Sequence, residues 1–124
     1  MGRFVKKCSF HLGPPGYFIT SGDFVYQSFF YGTVTVPDKF KTDFASIPNL
    51  VPRWLFDPFR HARLSSLPHD FLCRFADNYE DRVKADHVFY EAMGDEGVKR
   101  WRQVTMFAAV RANTWRMKLV GKLK

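Results

Sequence analysis

The chain holds 124 residues, 46% hydrophobic and 25% charged. That is the size and balance of a single globular domain over 1–124, which excludes long-range disorder, a collagen repeat or a coiled coil and requires no cofactor for folding. Pro, Arg and Asp interrupt every apolar run, including Leu50 to Phe59, well short of the roughly 18 residues that would span a bilayer, and the basic start, Met1 to Lys7, meets His11 and Pro14 before a signal-peptide apolar segment develops. The net charge of +7 is concentrated at one end: residues 97–124 carry eight Lys or Arg and no acid, while the remainder is nearly balanced at eleven basic against twelve acidic residues.

The first 36 residues read as β. Tyr17 to Thr20 and Asp23 to Val36 are mostly β-branched or aromatic, and Thr20-Ser21-Gly22-Asp23 between them has the composition of a hairpin turn. In Gly32 to Val36 the valines share one face and the threonines the other, and Pro37 ends the strand. His11 to Gly16 reads as a loop. Residues 37–58 form an irregular connection whose Phe40, Phe44, Ile47, Trp54, Leu55 and Phe56 are too apolar to stay solvated. Residues 59–117 read as three helices. In the first, Arg60 to Phe75, Pro68 removes one N–H and crowds the carbonyl of Leu64, so that the helix kinks there or a new one begins. The second, from about Arg82 to Met93, puts Asp86, Phe89, Tyr90 and Met93 on one face, with Gly94 and Gly97 ending it. The third, from about Val98 to Trp115, carries a stripe of Trp101, Val104, Ala108, Arg111 and Trp115, and a basic tail follows over 118–124. The fold class is therefore α+β: a small antiparallel hairpin or sheet packed on about three helices. With 22 aromatic residues, the core is built from large rings.

Three segments hold residues fit for chemistry: Thr42-Asp43-Phe44-Ala45-Ser46-Ile47-Pro48, His69-Asp70, and Asp86. Neighbouring His and Asp point about 100° apart on a helix and can serve two adjacent tasks. A carboxylate from an antiparallel partner helix could bond one ring nitrogen of His69, fixing its tautomer and favouring its cation; the separation of His69 and Asp86 allows Asp86 to be that group. The structural alternative carries equal weight: Asp43 ties down its loop, and His69 with Asp86 sets helix registry. His87 should point away from Asp86, to the surface. His61 with His69, Asp70 and Asp86 would make a metal site similar to that of HD-type phosphohydrolases, a weaker reading, and Ser46 has no local base. Cys8 and Cys73 form no CxxC pair, so they read as inert thiols in a reducing compartment.

Val36-Pro37, the Thr42 to Pro48 segment, His69-Asp70 and Arg100-Trp101 together resemble a small domain family of unknown function carried by tailed bacteriophages and prophages. Asn49, Pro68 and Cys73 depart from its usual pattern. More remotely, His69, Asp70, Phe71 and Arg74, followed by Asp86, Phe89, Tyr90, Glu91 and Met93, are similar to the paired active-site helices of A-two type phospholipases. That resemblance implies His69 as general base toward water, Asp86 as its orienting partner, and Asp43 and Asp70 as ligands of Ca²⁺. Calcium prefers about 6 to 8 oxygens, so loop carbonyls and water would complete the set, with affinity on the order of 10⁻⁴ to 10⁻³ M.

The expectation is a calcium-assisted ester hydrolase of phospholipid type, its four groups forming one water-accessible cluster, in the host cytoplasm or the virion. The alternative is a non-enzymatic virion, tail or host-interaction protein in which the same residues hold the fold. The basic end suits a lipid or other anionic surface or a phage structural protein, nucleic acid less so, or else is a solvated helix face.

Overall fold

A computed structural model describes residues 2–15, 17–42 and 63–121. The element order is β1 (Arg3–Lys6), β2 (Ser9–Leu12), β3 (Phe18–Ser21), β4 (Phe24–Ser28), β5 (Gly32–Val36), β6 (Lys41–Thr42), α1 (Arg63–Arg74), α2 (Tyr79–Glu96) and α3 (Arg100–Leu119). The strands form two three-stranded antiparallel sheets, ordered β1-β4-β5 and β2-β3-β6. The fold is α+β, as the composition and patterning indicate.

The long β run divides into β4 and β5, a hairpin pairing Phe24 with Val36 and Ser28 with Gly32 across the turn Phe29-Phe30-Tyr31. Alternation then selects one face: Phe24, Tyr26, Val34 and Val36 are buried while Thr33 and Thr35 are exposed. They join Phe40, Leu67 of α1 and Val88 and Ala92 of α2 in one core, flanked by Phe4, Phe10 and Phe71. A second cluster, Phe89 and Met93 of α2 with Met106 and Val110 of α3, seals the helix pair.

Two features of the β region differ from the sequence expectation. Thr20 to Asp23 is not a hairpin turn, because β3 and β4 lie in different sheets; it is a corner. Gly22 turns it with φ +95°, a left-handed conformation that a side chain disfavours, and its N–H donates to Asp38 Oδ1 at 2.6 Å. His11 and Leu12 are strand rather than loop, since β2 pairs them with Ile19 and Phe18.

The helices begin and end for local and distant reasons. Helix α1 runs unbroken through Pro68, so no new helix begins there. Its first N–H groups are capped from far along the chain, because Glu96 accepts from the backbone N–H of Leu64 and of Ser65 and from the Ser65 hydroxyl. Helix α2 starts at Tyr79, three residues before the expected Arg82, because the Asn78 side chain accepts from the Asp81 N–H as an N-cap. Gly97, at φ +89°, closes it in the left-handed conformation, while Gly94 stays helical. Helix α3 continues to Leu119, so Lys118 of the expected tail is helical.

The side of α3 that packs inward is not the expected one. Gln103, Met106, Val110 and Thr114 are buried, whereas Trp101, Val104, Ala108 and Trp115 are exposed and Arg111 is partly covered. Both stripes have helical spacing. The inner one wins because its polar members find partners, Gln103 Nε2 donating to the Tyr90 carbonyl at 2.7 Å and Thr114 reaching Asp86.

Candidate functional site

The facing of α1 and α2 brings His69 and Asp86 together, as their spacing predicts. The Nε2–H of His69 donates to Asp86 Oδ1 at 2.9 Å. The other carboxylate oxygen is filled from α3: Thr114 Oγ1 donates at 2.6 Å and Arg111 Nη1 at 3.3 Å, and Arg111 Nη2 donates to the Tyr79 hydroxyl at 3.0 Å. One carboxylate thus ties three helices. Thr114 was missed as a partner because the sequence suggested the outer stripe of α3, which carries Arg111, as its packing face; the 3, 4, 4 spacing of Gln103, Met106, Val110 and Thr114 was the available signal.

The dyad is buried, not water-accessible as expected. His69 is 4% exposed and Asp86 0%. The Phe89 ring lies 4.7 Å from the imidazole, centroid to centroid. With Nε2 committed, Nδ1 of His69 is buried and has no hydrogen-bond partner among the described residues. Burial disfavours the imidazolium, but the sulfur of Cys73 and the carboxylate of Asp86 at Nε2 outweigh it, so the pKa of His69 is raised above that of an ordinary histidine.

Of the four predicted groups, His69 and Asp86 meet among the described residues. Asp43 lies outside them, as do Ser46 and His61. On α1, Asp70 Oδ2 accepts from Arg74 Nη2 at 3.3 Å, one helical turn on. Arg74 in turn donates to the Lys41 carbonyl at 2.6 Å and stacks on Phe40 at 4.5 Å, pinning α1 to β6. His87 is exposed beside Phe107, as expected.

Cys73 is the residue that sequence reasoning set aside and the fold brings in. It lies one turn after His69, with its sulfur 3.4 Å from Nε2. One ligand atom each from His69, Cys73 and Asp86 lie within 4.8 Å of one another, a cluster that could hold a metal ion. Imidazole, thiolate and a single carboxylate oxygen are the donors of zinc-like ions rather than of calcium, which takes oxygen throughout. The His-x-x-x-Cys spacing was visible in the sequence and is the same-face spacing of a helix. Cys8 and Cys73 are both free, with no disulfide between them.

No helix among the described residues is long and apolar enough to cross a membrane. No curated protein and no solved structure gives a significant match to this sequence. Residues 19–110, from β3 to Val110 of α3 and so including His69, Cys73 and Asp86, match the family described as "Protein of unknown function (DUF1353)", and the chain belongs to that family.

Proposed function

We propose that this chain is an ester hydrolase in which Nδ1 of His69 takes the proton of an attacking water. The observation that carries the reading is the asymmetry of the imidazole: Nε2 is fixed by a buried carboxylate, and Nδ1 has no partner among the described residues. A purely structural histidine at this depth would be expected to satisfy both nitrogens, so a buried orphan calls for a water, an ion or a reacting group. In the neutral ring the bond to Asp86 sets the tautomer and leaves the Nδ1 lone pair free. As the water oxygen bonds the acyl carbon the ring takes its proton, the same carboxylate stabilises the imidazolium while Thr114 and Arg111 hold that carboxylate in place, and the imidazolium returns the proton to the alkoxide that leaves as the ester C–O bond breaks.

Because Cys73 and Asp86 favour the cation, the basic form of His69 accumulates only at alkaline pH, and hydrolysis should rise with pH to a plateau above the ordinary histidine range. The resemblance to A-two type phospholipases supports a phospholipid-like ester as substrate and brings calcium into the reading through Asp43 and Asp70. The test is ester release from anionic phospholipid vesicles, with calcium and with chelator, from neutral to alkaline pH. His69→Gln keeps an amide donor toward Asp86 while deleting the base, and it should lower the rate by about 10² to 10⁴. No turnover by the wild type in any arm would overturn the proposal.

The enclosure of the dyad favours a second reading: a non-enzymatic phage-type scaffold or interaction protein in which His69, Asp86, Thr114 and Arg111 latch three helices. It predicts that His69→Gln changes thermal stability with no activity to lose.

A further inference from the structure

The outward face of α3 is more apolar than its buried face. Trp101, Val104, Ala108, Ala112, Trp115 and Leu119 are all exposed, with Trp101 at 48%, Trp115 at 54% and Leu119 at 67%. At 3.6 residues per turn these six fall within an arc of about 80°, and at 1.5 Å per residue they run about 27 Å along the helix. Arg100, Arg111 and Lys118 border the stripe on one side, Arg102 and Arg116 on the other, and residues 97–124 contain no acid. The Arg102 guanidinium lies 4.6 Å over the Trp101 ring. Folding alone does not account for the stripe, because α3 already buries its opposite side against α2.

We propose that this face of α3 docks on an anionic lipid surface, its tryptophans seated at the headgroup level and its arginines and lysines meeting lipid phosphates. Charge selects the occupant. A second copy of the chain would set the same basic face, with no acid in residues 97–124, against itself, and like-charge juxtaposition disfavours self-association. Tryptophan has an apolar body and a polar N–H suited to a wet apolar boundary, and long basic side chains lay their stems along such a surface while their heads reach the phosphates. The proposal holds whether or not His69 performs hydrolysis.

The test is sedimentation of the full chain with vesicles of ether-linked phosphatidylglycerol and phosphatidylcholine, and with phosphatidylcholine alone, while tryptophan emission is recorded. Ether lipids remove hydrolysis from the readout, and His69→Gln should bind as the wild type does. Binding is expected only to the anionic vesicles, with a blue shift and quenching by brominated acyl chains. Removal of Arg116 or Lys118 as Gln should weaken it roughly fivefold each. Trp101→Ser with Trp115→Ser should abolish the binding and its blue shift while the far-ultraviolet circular dichroism stays unchanged. Three results would overturn the proposal: equal affinity for neutral vesicles, binding with unchanged tryptophan emission, or no vesicle binding together with concentration-dependent self-association that the tryptophan variants remove.

Discussion

Replacing Asp86 with Ala isolates the group on which three helices converge. The carboxylate is fully buried and receives three hydrogen bonds, from His69 Nε2 at 2.9 Å, Thr114 Oγ1 at 2.6 Å and Arg111 Nη1 at 3.3 Å. Their contributions are unequal. The Arg111 side chain is 27% exposed and keeps the Tyr79 hydroxyl, so it can turn to solvent at little cost. Thr114 is fully buried and would lose its carboxylate acceptor, at about 1–3 kcal/mol, and His69 would lose the anion that favours its charge. Removing one partner of a buried ionic cluster typically costs about 3–5 kcal/mol, and we expect Asp86→Ala to fall in that range. For a domain whose net stability is of order 5–15 kcal/mol, this is a large fraction. Urea unfolding followed by circular dichroism measures it: the midpoint should fall with the slope unchanged, and Asp86→Asn, which keeps the shape, should lose less. A loss below about 1 kcal/mol for Asp86→Ala would refute the latch.

Other consequences follow from particular contacts. His69 is raised in the folded state above its unfolded value near 6.5, so the stability it contributes is fully present below that pH and is lost as pH rises through the raised value; the stability gap between wild type and Asp86→Ala should therefore narrow on the alkaline side, as urea melts at several pH values would record. Glu96→Ala frees the first N–H groups of α1, and hydrogen exchange at Leu64 and Ser65 should quicken, with a stability loss of about 1–2 kcal/mol. Tyr26→Phe removes a 2.6 Å bond from the phenol to Asp95 that ties β4 to α2, and denaturant titration should register about 1.5 kcal/mol.

What was legible in the sequence is what depends on short-range period. The alternation of Val34 and Val36 with Thr33 and Thr35 reports one buried face, and the face of α2 carrying Asp86, Phe89 and Met93 is the buried one. The meeting of His69 with Asp86 was also readable, because a short polar break between two helices leaves antiparallel packing as the simplest return. The misread features depend on choices made at longer range. A glycine turn looks the same whether it joins paired strands or crosses between sheets, and Gly22 does the latter. Two stripes of α3 obey the helical period, and hydrophobicity pointed to the tryptophans; burial instead followed Gln103 and Thr114, whose partners lie on another helix. Capping of α1 by Glu96, more than thirty residues on, leaves no local trace.

The state of the His69 ring tests the account most directly. Nitrogen-15 resonances of the imidazole should show a hydrogen on Nε2 throughout and titration of Nδ1 above the ordinary histidine pKa, with that elevation reduced in Asp86→Ala. A neutral ring carrying its hydrogen on Nδ1, or a titration at or below 6.5 in the wild type, would contradict both the geometry of the dyad and the chemistry proposed for it.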